Sequence, residues 1–574
     1  MKFKDLTKYF EKLEQTSSRL SLIEILSELL KKTPGEEIDK ISYLIQGRLA
    51  PFFVPLEIGM AEKTVAKAIA QAYGVTSDEV TRQFNSLGDM GLAAQKFAVK
   101  SKGTDITVNE IHKTLTQIAK TNGEGTVKKR QKLLSGLLSK MDPISAKHLI
   151  RIPLGNTRLG IGDPTVLDAL ATAKLGDKTK RKLLEGAYNK TSDLGLIAKT
   201  LWEKGLSGVE KLDVRVGSPI RSELCERLPS PEKVIEKMVE VDCQPKMDGF
   251  RIQIHKNKEE IRMFSRNLEE MTHMFPELID ASKKQIKAET AILDTEALAY
   301  NPDSEEFLPF QETTKRRRKH GIAEMAKTLP LKAFVFDILY KNGKSLIDEP
   351  LSKRMEILKE TIGEDGVLIR TKNQIVKDSK TLTLLLEDAI SKGLEGVVVK
   401  KLESKYEAGA RNFNWVKLKR NSSGELNDTI DCVILGYITG RGKRIAFGAG
   451  ALLVGLYDKK SDEFVTVSKI GTGLTDEEWR EVHKRADRIR VEKRPARVNS
   501  LITPSVWIKP EIVIEVLADE ITRSPIHTAG KSDSDPGYAL RFPRLVSFRG
   551  FDKKAEDSTT VEELVEMYRL QGKK

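Results

Sequence analysis

The sequence predicts three successive structural classes: an all-helical domain, an α+β domain and a small β-barrel. Up to residue 212, apolar residues recur at helical spacing and strand-like alternation is scarce. From 213 to 420, short runs rich in β-branched and aromatic residues alternate with turns and helical segments. From 421 to 574, several strand-like runs accompany one helical segment, which suits a barrel such as the OB-fold. We therefore predict domains over 1–212, 213–420 and 421–574.

The helical prediction rests on the spacing of apolar residues. In the segment 20–32, one helix face is formed by Leu22, Ile25, Leu26, Leu29 and Leu30. The other predicted helices span 60–74, 108–121, 127–141 and 164–174. The first of these ends at Gly74, a residue type suited to a helix C-terminus.

The strand predictions rest on short apolar runs bounded by turn residues. In the second domain the runs lie at 239–246, 250–256, 291–300, 332–340 and 393–401. In the third domain they lie at 428–438, 449–457, 463–470 and 511–517, with a helix at 475–490.

The composition describes a folded chain with an excess of positive charge. A length of 574 residues suits about three or four domains, and 39% hydrophobic residues exclude the disordered class. Lys and Arg number 97 against 83 Asp and Glu, a net charge of +14. This excess favours a polyanionic partner such as nucleic acid, with a basic surface that serves only solubility as the alternative.

Targeting and metal-binding patterns are scarce. The sequence has no run of 18 apolar residues, and its charged N-terminus differs from a signal peptide, so we expect a cytoplasmic protein without a membrane partner. The three cysteines, Cys225, Cys243 and Cys432, are too far apart for a Cys-x-x-Cys clamp. The seven histidines include no His-Glu-x-x-His pair, so we predict neither structural zinc nor a histidine-held catalytic metal.

The motif Lys246-Met247-Asp248-Gly249-Phe250-Arg251 is the densest clue to chemistry, because it lies between two predicted strands. A lysine held at a strand end among cations can have its pKa lowered, which would let it act as a nucleophile at neutral pH. Arg251 offers a donor fork for a phosphate or carboxylate. Taken alone, the motif also fits a surface turn with a solvated lysine.

Further motifs follow in order, each at the edge of a predicted strand. They are Ser265-Arg266, Asp294-Thr295-Glu296, Phe336-Asp337, Glu395-Gly396 and Trp415-Val416-Lys417-Leu418-Lys419. The ordered set resembles the motifs of the covalent nucleotidyltransferase superfamily, which comprises ATP-dependent DNA ligases, RNA ligases and mRNA capping enzymes. The resemblance implies a nucleotidyltransferase core with an ATP-grasp-like fold.

The resemblance implies that Lys246 attacks the α-phosphate of ATP and forms a lysyl-AMP intermediate. Such a transfer needs mainly positioning and charge neutralisation from the other residues. The nucleotide contacts implied by the motifs are Gln244, Arg251, Arg266, Glu296, Phe336, Arg411, Lys417 and Lys419.

Several of these residues suit one part of the nucleotide. Phe336 would stack on adenine, with a core aromatic as the alternative, and Gln244 would hydrogen-bond the base. Lys417 and Lys419 alternate along a strand, so both can face the α-phosphate. Arg251 and Arg266 would contact ribose and phosphate.

Three carboxylates suit a divalent cation. Asp248, Glu296 and Glu395 supply the hard oxygen ligands that Mg²⁺ prefers, and Mn²⁺ is a further candidate. Ordinary salt bridges are the alternative for each of them.

The C-terminal segment is similar to the last motif of the superfamily, which orients the pyrophosphate leaving group when the barrel closes. The matching residues are Arg549, Asp552 and Lys553. The usual pattern places one residue between the arginine and the Asp-Lys pair, whereas this chain has Gly550 and Phe551. Arg549 therefore lies one residue further from the Asp552-Lys553 pair than the usual pattern places its arginine.

The helical region selects one branch of the superfamily. Segments 149–160 and 187–195 are similar to the DNA-binding domain of archaeal and eukaryotic replicative DNA ligases, which implies DNA contacts by Arg151 and Arg158. Mostly phosphate contacts would make binding independent of sequence and sensitive to salt. The compact length favours the archaeal version, and three dispersed cysteines exclude the four-cysteine zinc element of bacterial NAD-dependent ligases. The basic run 315–320 is interpreted as a loop facing DNA, with a nuclear signal as the alternative.

A sliding clamp is a further expected partner. Gln46, Leu49, Phe52 and Phe53 have the spacing of clamp-docking peptides, although core packing is the alternative inside a helical domain. The segment Gln95-Lys96-Phe97 is a rival position.

The sequence as a whole predicts a monomeric ATP-dependent DNA ligase. It would seal 5′-phosphate/3′-hydroxyl nicks in duplex DNA during replication, repair and recombination, and so serve cell division. An RNA ligase or capping-type transferase and a nucleic-acid-binding scaffold with an inactive site remain as rivals. A P-loop ATPase is disfavoured, because both Gly-Lys-Ser triplets lack the earlier glycine, with Ile338 and Pro525 in its place.

Overall fold

The structure is a computed structural model of the whole chain. It describes every residue except 302–305, 309–312, 314, 317–320, 392–393, 420–428, 440–449, 472–473, 519, 534, 542, 550–552 and 571–574. The chain divides into two compact units, Met1–Asp213 and Val214–Lys574. The division into three domains stays a prediction.

The first unit is helical, as predicted. Its helices are α1 Phe3–Gln15, α2 Arg19–Lys32, α3 Ile38–Ile45, α4 Glu62–Tyr73, α5 Ser77–Leu87, α6 Met90–Phe97, α7 Val108–Lys120, α8 Thr126–Leu138, α9 Pro143–Arg151, α10 Asp163–Leu175, α11 Arg181–Thr191 and α12 Leu194–Glu210. Gly74 ends α4 in the left-handed conformation, with a φ of 71°. In α2, Ile23 is buried and Ile25 only partly so, which shifts the predicted apolar face by part of a turn.

The second unit begins with two sheets and their covering helices. The strands are β1 Leu224–Arg227, β2 Val241–Lys246, β3 Phe250–Asn257, β4 Glu260–Ser265, β5 Thr290–Asn301, β6 Glu306–Phe307, β7 Leu331–Lys341, β8 Lys344–Ser345, β9 Leu368–Arg370, β10 Gln374–Val376, β11 Gly396–Lys401 and β12 Arg411–Lys419. The helices are α13 Pro231–Met238, α14 Pro276–Gln285, α15 Ile322–Thr328, α16 Leu351–Thr361 and α17 Ser379–Ser391.

The strand order separates these elements into two layers. One sheet has the order β1-β12-β11-β2-β10, and the other has the order β4-β3-β5-β7-β8, with β6 on β5 and β9 on β7. Valines of β2 and β11 pack with α13 and α17 in one apolar cluster. Because side chains alternate along a strand, the opposite face of the first sheet is left for polar residues.

The remainder of the second unit contains an eight-stranded sheet, a separate two-stranded sheet and two helices. Its strands are β13 Ile430–Ile438, β14 Ala451–Asp458, β15 Glu463–Ile470, β16 Arg490–Val491, β17 Val498–Asn499, β18 Val506–Ile508, β19 Val513–Leu517, β20 Glu520–Ser524, β21 Gly537–Arg541 and β22 Arg544–Phe548. The helices are α18 Asp476–Asp487 and α19 Val561–Leu570. The predicted long strands and the helix at 475–490 are confirmed, and the short strands and α19 are additions that the sequence pattern did not reveal.

Across the described ranges, every helix is too short or too polar to cross a bilayer.

Candidate active site

A cavity of about 280 Å³ in the second unit gathers residues from distant parts of the sequence. The predicted site residues that line it are Gln244, Lys246, Asp248, Arg251, Arg266, Glu296, Phe336, Glu395, Arg411, Lys417, Lys419, Arg549 and Lys553. Asp552 lies outside the described residues. The structure therefore brings together nearly the whole set that the ordered motifs predicted.

Strand register explains why these side chains meet. Across β2, β11 and β12, Lys246 lies opposite Gly396, and Gly396 lies opposite Lys419. One pleat further along, Gln244, Val398 and Lys417 form the next row. Directly opposed residues share a face of the sheet, so the two predicted phosphate lysines do lie on the same side as Lys246.

Gly396 lies close to the backbone of the neighbouring strand β12. It has a φ of 145°, and a Cβ atom there would lie 2.1 Å from the backbone oxygen of Leu418. A side chain at this position would push β12 away from β11, so glycine keeps the lysine rows together.

Lys246 forms an ion pair with Glu395. The Lys246 ammonium contacts Glu395, and Lys419 Nζ lies 3.4 Å from Glu395 Oε2. Burial favours the neutral amine, but the Glu395 carboxylate outweighs it and raises the pKa of Lys246. The expectation that neighbouring cations lower this pKa is therefore wrong for the ligand-free site, because a carboxylate is the nearest charge.

One carboxylate, one backbone carbonyl and one hydroxyl hold Arg251. Its Nε donates to Asp294 Oδ1 at 2.8 Å, its Nη1 donates to the Glu223 carbonyl at 2.8 Å, and its Nη2 lies 3.2 Å from the Tyr406 hydroxyl. The Tyr406 hydroxyl in turn donates to Asp294 Oδ2 at 2.9 Å. Arg251 is thus fixed at the cavity wall by a buried network before any ligand arrives.

Glu296 lies beside this network, opposite Arg251 in the β3–β5 register. Burial raises the pKa of Glu296 to about 7, while Lys246 and Arg251 act in the opposite direction. A carboxyl group that titrates near neutral pH can exchange a proton with its surroundings during turnover.

The aromatic wall of the cavity contains Phe336 and Trp415, whose ring centroids are 6.0 Å apart in an edge-to-face arrangement. Lys400 Nζ lies 4.7 Å from the Phe336 centroid and 4.1 Å from the Trp415 centroid. It also donates to the Phe336 carbonyl at 3.0 Å. Phe336 is only partly buried and lines the cavity, as a base-stacking residue must.

The C-terminal segment reaches the same cavity. Asp431 contacts Lys553 and accepts from Arg549 Nε at 3.2 Å, and these cations hold the pKa of Asp431 far below its usual range against the effect of burial. Arg411 is paired with Glu563 of α19. The last motif is therefore anchored by a carboxylate of β13 despite its extra residue.

Several donors and acceptors in the cavity wall have no hydrogen-bond partner among the described residues. They are Arg266 Nε, Arg411 Nε, Trp415 Nε1 and Thr371 Oγ1. Three of these four atoms are N–H donors, which fits a ligand rich in acceptor oxygens and nitrogens.

In the first unit, Arg151 is buried, whereas the sequence predicted that it contacts DNA. Its side chain is 2% exposed, donates from Nη1 to Glu14 at 2.8 Å and donates from Nη2 to Asp89 at 2.6 Å. Arg158 Nε also lies 3.1 Å from Asp89, with its side chain 24% exposed. The burial of Arg151 is at odds with the predicted DNA contact, because a guanidinium enclosed by two carboxylates does not reach a phosphate.

The candidate clamp-docking residues are largely packed inside the first unit. Leu49 and Phe53 are buried, and Gln46 Nε2 donates to Asp163 Oδ1 at 2.6 Å. Phe52 is partly buried and lies under the Arg48 guanidinium. This burial favours the core-packing alternative, since a docking peptide must present its side chains to the clamp.

Two further predicted segments are the second clamp-docking candidate, 95–97, and the basic run 315–320. Gln95 and Phe97 are partly exposed near the end of α6, so that position stays a prediction. In the basic run, Arg316 is buried against Glu277, which is at odds with a solvated loop at that residue. Residues 317–320 lie outside the described residues.

Some residues of the site had no predicted role. Lys400 and Val398 share the face of Lys246, a relation that the period-two pattern of 396–401 already contained. The roles of Tyr406, Asp431 and Glu563 depend on long-range contacts, which no local spacing indicates.

Three family models match successive segments of the chain. A family model described as the DNA ligase N terminus matches residues 2–171, the ATP dependent DNA ligase domain matches 222–419, and the ATP dependent DNA ligase C terminal region matches 446–552. The predicted helical domain, nucleotidyltransferase core and OB-like C-terminal domain are thereby confirmed.

Relatives of similar length span the whole chain. A protein named Probable DNA ligase from Dictyoglomus turgidum is 47% identical over 573 residues, covering 100% of this chain and 98% of the relative. DNA ligase 2 of Thermofilum pendens is 40% identical, covering 99% and 97%, and DNA ligase of Sulfolobus acidocaldarius is 39% identical, covering 100% and 99%. The chain therefore belongs to the family of ATP-dependent DNA ligases.

Proposed function

We propose that this ligase seals 5′-phosphate/3′-hydroxyl nicks in duplex DNA through a lysyl-AMP intermediate on Lys246. The observation that carries the proposal is the convergence of Lys246, Lys417 and Lys419 on one face of a sheet, inside the cavity that also contains Phe336. A nucleophilic amine, two phosphate-neutralising ammonium groups and a stacking ring are what nucleotidyl transfer from ATP requires.

In the first step the Lys246 amine attacks the α-phosphorus of ATP. A phosphorus–nitrogen bond forms as the bond to the bridging oxygen breaks, and pyrophosphate leaves with the electron pair. Because Glu395 raises the pKa of Lys246, the ammonium has to lose its proton before it attacks. Glu296, with its pKa near 7, lines the same cavity and suits a transient proton acceptor.

The second and third steps consume the adenylate. An oxygen of the DNA 5′-phosphate attacks the AMP phosphorus, the bond to Lys246 breaks and the amine is regenerated. The 3′-hydroxyl oxygen then attacks the 5′-phosphorus, AMP leaves, and the hydroxyl proton passes to solvent or a base. Lys417 and Lys419 neutralise the phosphate charge that persists through these displacements.

Mg²⁺ fits the donor set at the cavity. Asp248, Glu296 and Glu395 all line it and would supply oxygen ligands, with Mn²⁺ as a substitute of similar preference. Bound there, the ion would neutralise phosphate oxygens of the nucleotide.

The wider role is proposed from the family and the charge. Nicked duplex DNA is the substrate that suits a ligase with a net charge of +14, bound by a monomer mainly through phosphates. Replication, repair and recombination all leave such nicks, and a sliding clamp would deliver the enzyme to them. We place the reaction in the cytoplasm.

The direct test follows label from ATP. Wild type and Lys246→Ala are incubated with α-labelled ATP and Mg²⁺, separated under denaturing conditions, and the labelled protein is chased with nicked duplex DNA. We expect label on the wild type alone and its loss as the nick closes. Lys256→Ala is a matched control, because that lysine is buried on β3 away from the cavity lining.

Two results would contradict the proposal. Label that forms on Lys246 but is discharged by nicked RNA and not by nicked DNA would indicate an RNA-directed transferase. Absence of label from ATP in the folded wild type would leave a DNA-binding scaffold.

A further inference from the structure

A polar network that reaches the cavity at Gln244 takes part in none of the steps above. Gln244 Nε2 donates to Asp242 Oδ2 at 2.6 Å, and Asn373 Nδ2 donates to Asp242 Oδ1 at 2.5 Å. Asp242 is fully buried and Gln244 is 3% exposed. Both carboxylate oxygens are thus engaged by amide groups, one from the buried Gln244 and one from the exposed Asn373.

The hydrogen bond from Gln244 to Asp242 determines which end of the Gln244 amide is available to a ligand. A carboxylate only accepts hydrogen bonds, so Asp242 holds the NH₂ group of Gln244 and leaves the carbonyl oxygen Oε1 for a ligand. Burial raises the pKa of Asp242, whereas Asn373, Lys400 and Gln244 favour its ionised form. The polar end of Gln244 that a nucleotide meets is therefore an acceptor.

We propose that Asp242 locks the Gln244 amide as an acceptor that reads the exocyclic amino group of adenine and rejects guanine. The inference rests on the proposed function, with adenine stacked on Phe336 in the cavity that Gln244 also lines. Adenine carries an amino donor where guanine carries the O6 acceptor. Guanine would bring two acceptors together in a buried wall and leave both unpaired, which is the strongest basis for rejecting an analogue.

Thr371 provides an independent contact in the same wall. Its hydroxyl is buried, lines the cavity and has no partner among the described residues. A hydroxyl both donates and accepts, so it can bond the acceptor N1 of adenine or the N1–H of guanine. Thr371 would therefore add affinity for either base without discriminating between them.

The experiment compares adenylation with guanylylation of the full-length enzyme. Label is transferred to the protein from α-labelled ATP or GTP over a range of concentrations, and the ratio of the two kcat/KM values is measured. We expect Asp242→Asn to lower the ATP:GTP ratio by at least about tenfold, because an amide at 242 lets Gln244 turn its NH₂ toward the base. Thr371→Val should lower both values together and leave the ratio unchanged.

The outcomes separate this inference from the proposed function. A folded Asp242→Asn enzyme with the wild-type ratio, or a wild type that uses GTP as well as ATP, would overturn the base-reading role. If Asp242→Asn does not fold, Gln244→Met keeps the side-chain volume without either polar group; a lowered ratio supports the inference and an unchanged ratio overturns it. Failure of the wild type to label Lys246 from ATP would overturn the proposed function and this inference with it.

Discussion

At the scale of single residues, the site also depends on side chains outside the cavity lining, such as Tyr406. Tyr406 is 3% exposed, and its hydroxyl contacts Arg251, Asp294 and the backbone N–H of Glu223 at 3.2, 2.9 and 3.1 Å. Three polar groups therefore depend on one oxygen atom. Because hydrogen bonds to charged groups contribute about 1.5–3 kcal/mol each, removing that atom should loosen the guanidinium.

We expect Tyr406→Phe to slow adenylation of Lys246 by about tenfold, while the ring keeps its edge-to-face contact with Trp415. The rate of label incorporation from ATP, measured beside the unfolding midpoint, checks this. In an Arg251→Lys background the same substitution should have little further effect, since Tyr406 acts through Arg251. Equal losses in both backgrounds would count against a positioning role.

The buried carboxyl of Glu223 predicts a pH dependence of stability. Burial raises its pKa to about 8, aided by Asp337 and opposed by Arg354 and the Glu407 backbone N–H. The folded chain thus binds this proton more tightly than the unfolded chain, whose carboxyl has its usual pKa near 4.5. Stability should fall as pH rises between these values, by at most about 1.4 kcal/mol per pH unit.

Glu223→Gln removes this titration and keeps an acceptor for Glu407. We expect the variant to gain stability over the wild type as pH rises from 5 to 8, with a constant difference above that. Denaturant unfolding of both proteins across the range measures it. A difference that does not vary with pH would show that Glu223 ionises normally in the folded chain.

At the scale of elements, period-two alternation divides the first sheet between core and cavity. Val397 and Val399 belong to the apolar cluster under α17, whereas Val398 lies between Gln244 and Lys417 on the cavity face. Val397 and Val399 therefore pack in the core, whereas Val398 lines the cavity.

This alternation yields a matched pair of variants. Val398→Phe should fill the cavity and reduce label incorporation from ATP about 100-fold or more, with little change in the unfolding midpoint. Val397→Phe should overpack the core and cost about 1–3 kcal/mol of stability, with a smaller effect on labelling of the folded fraction. If both variants lost stability and kept activity, the register of β11 would be incorrect.

At the scale of the whole molecule, charge governs the encounter with DNA. The chain carries a net charge of +14, and neutralising phosphates releases counterions in proportion to the contacts made. Because Arg151 is buried against Glu14 and Asp89, we expect exposed basic residues of the chain to supply these contacts.

Affinity for nicked duplex DNA should fall steeply and log-linearly with salt, by about 100-fold or more between 50 and 200 mM. Fluorescence anisotropy of a nicked duplex at several salt concentrations measures the slope. Two unrelated nick sequences should give the same slope. A flat response would indicate that direct contacts with base edges dominate.

The fold classes, the strands that carry the motifs and the position of Lys246 at a strand end could all be predicted from the sequence. Alternating and helical periods are local properties of the sequence. A strand that leads into Lys-x-Asp-Gly and is followed by the other motifs in order is readily interpreted as the strand that carries Lys246. Element boundaries in the barrel were less predictable, because two- and three-residue strands such as β16–β18 carry no period of their own.

What the sequence by itself determined is therefore the set of chemical groups and the local elements that hold them, including the shared face of Lys417 and Lys419. Only the tertiary structure decided the pairing of charges. It placed Arg151 in a buried ion-pair network, joined Lys246 to Glu395, and oriented Gln244 through Asp242. Burial and partner identity set the charge state and direction of each group, and both arise from contacts between residues far apart in the chain.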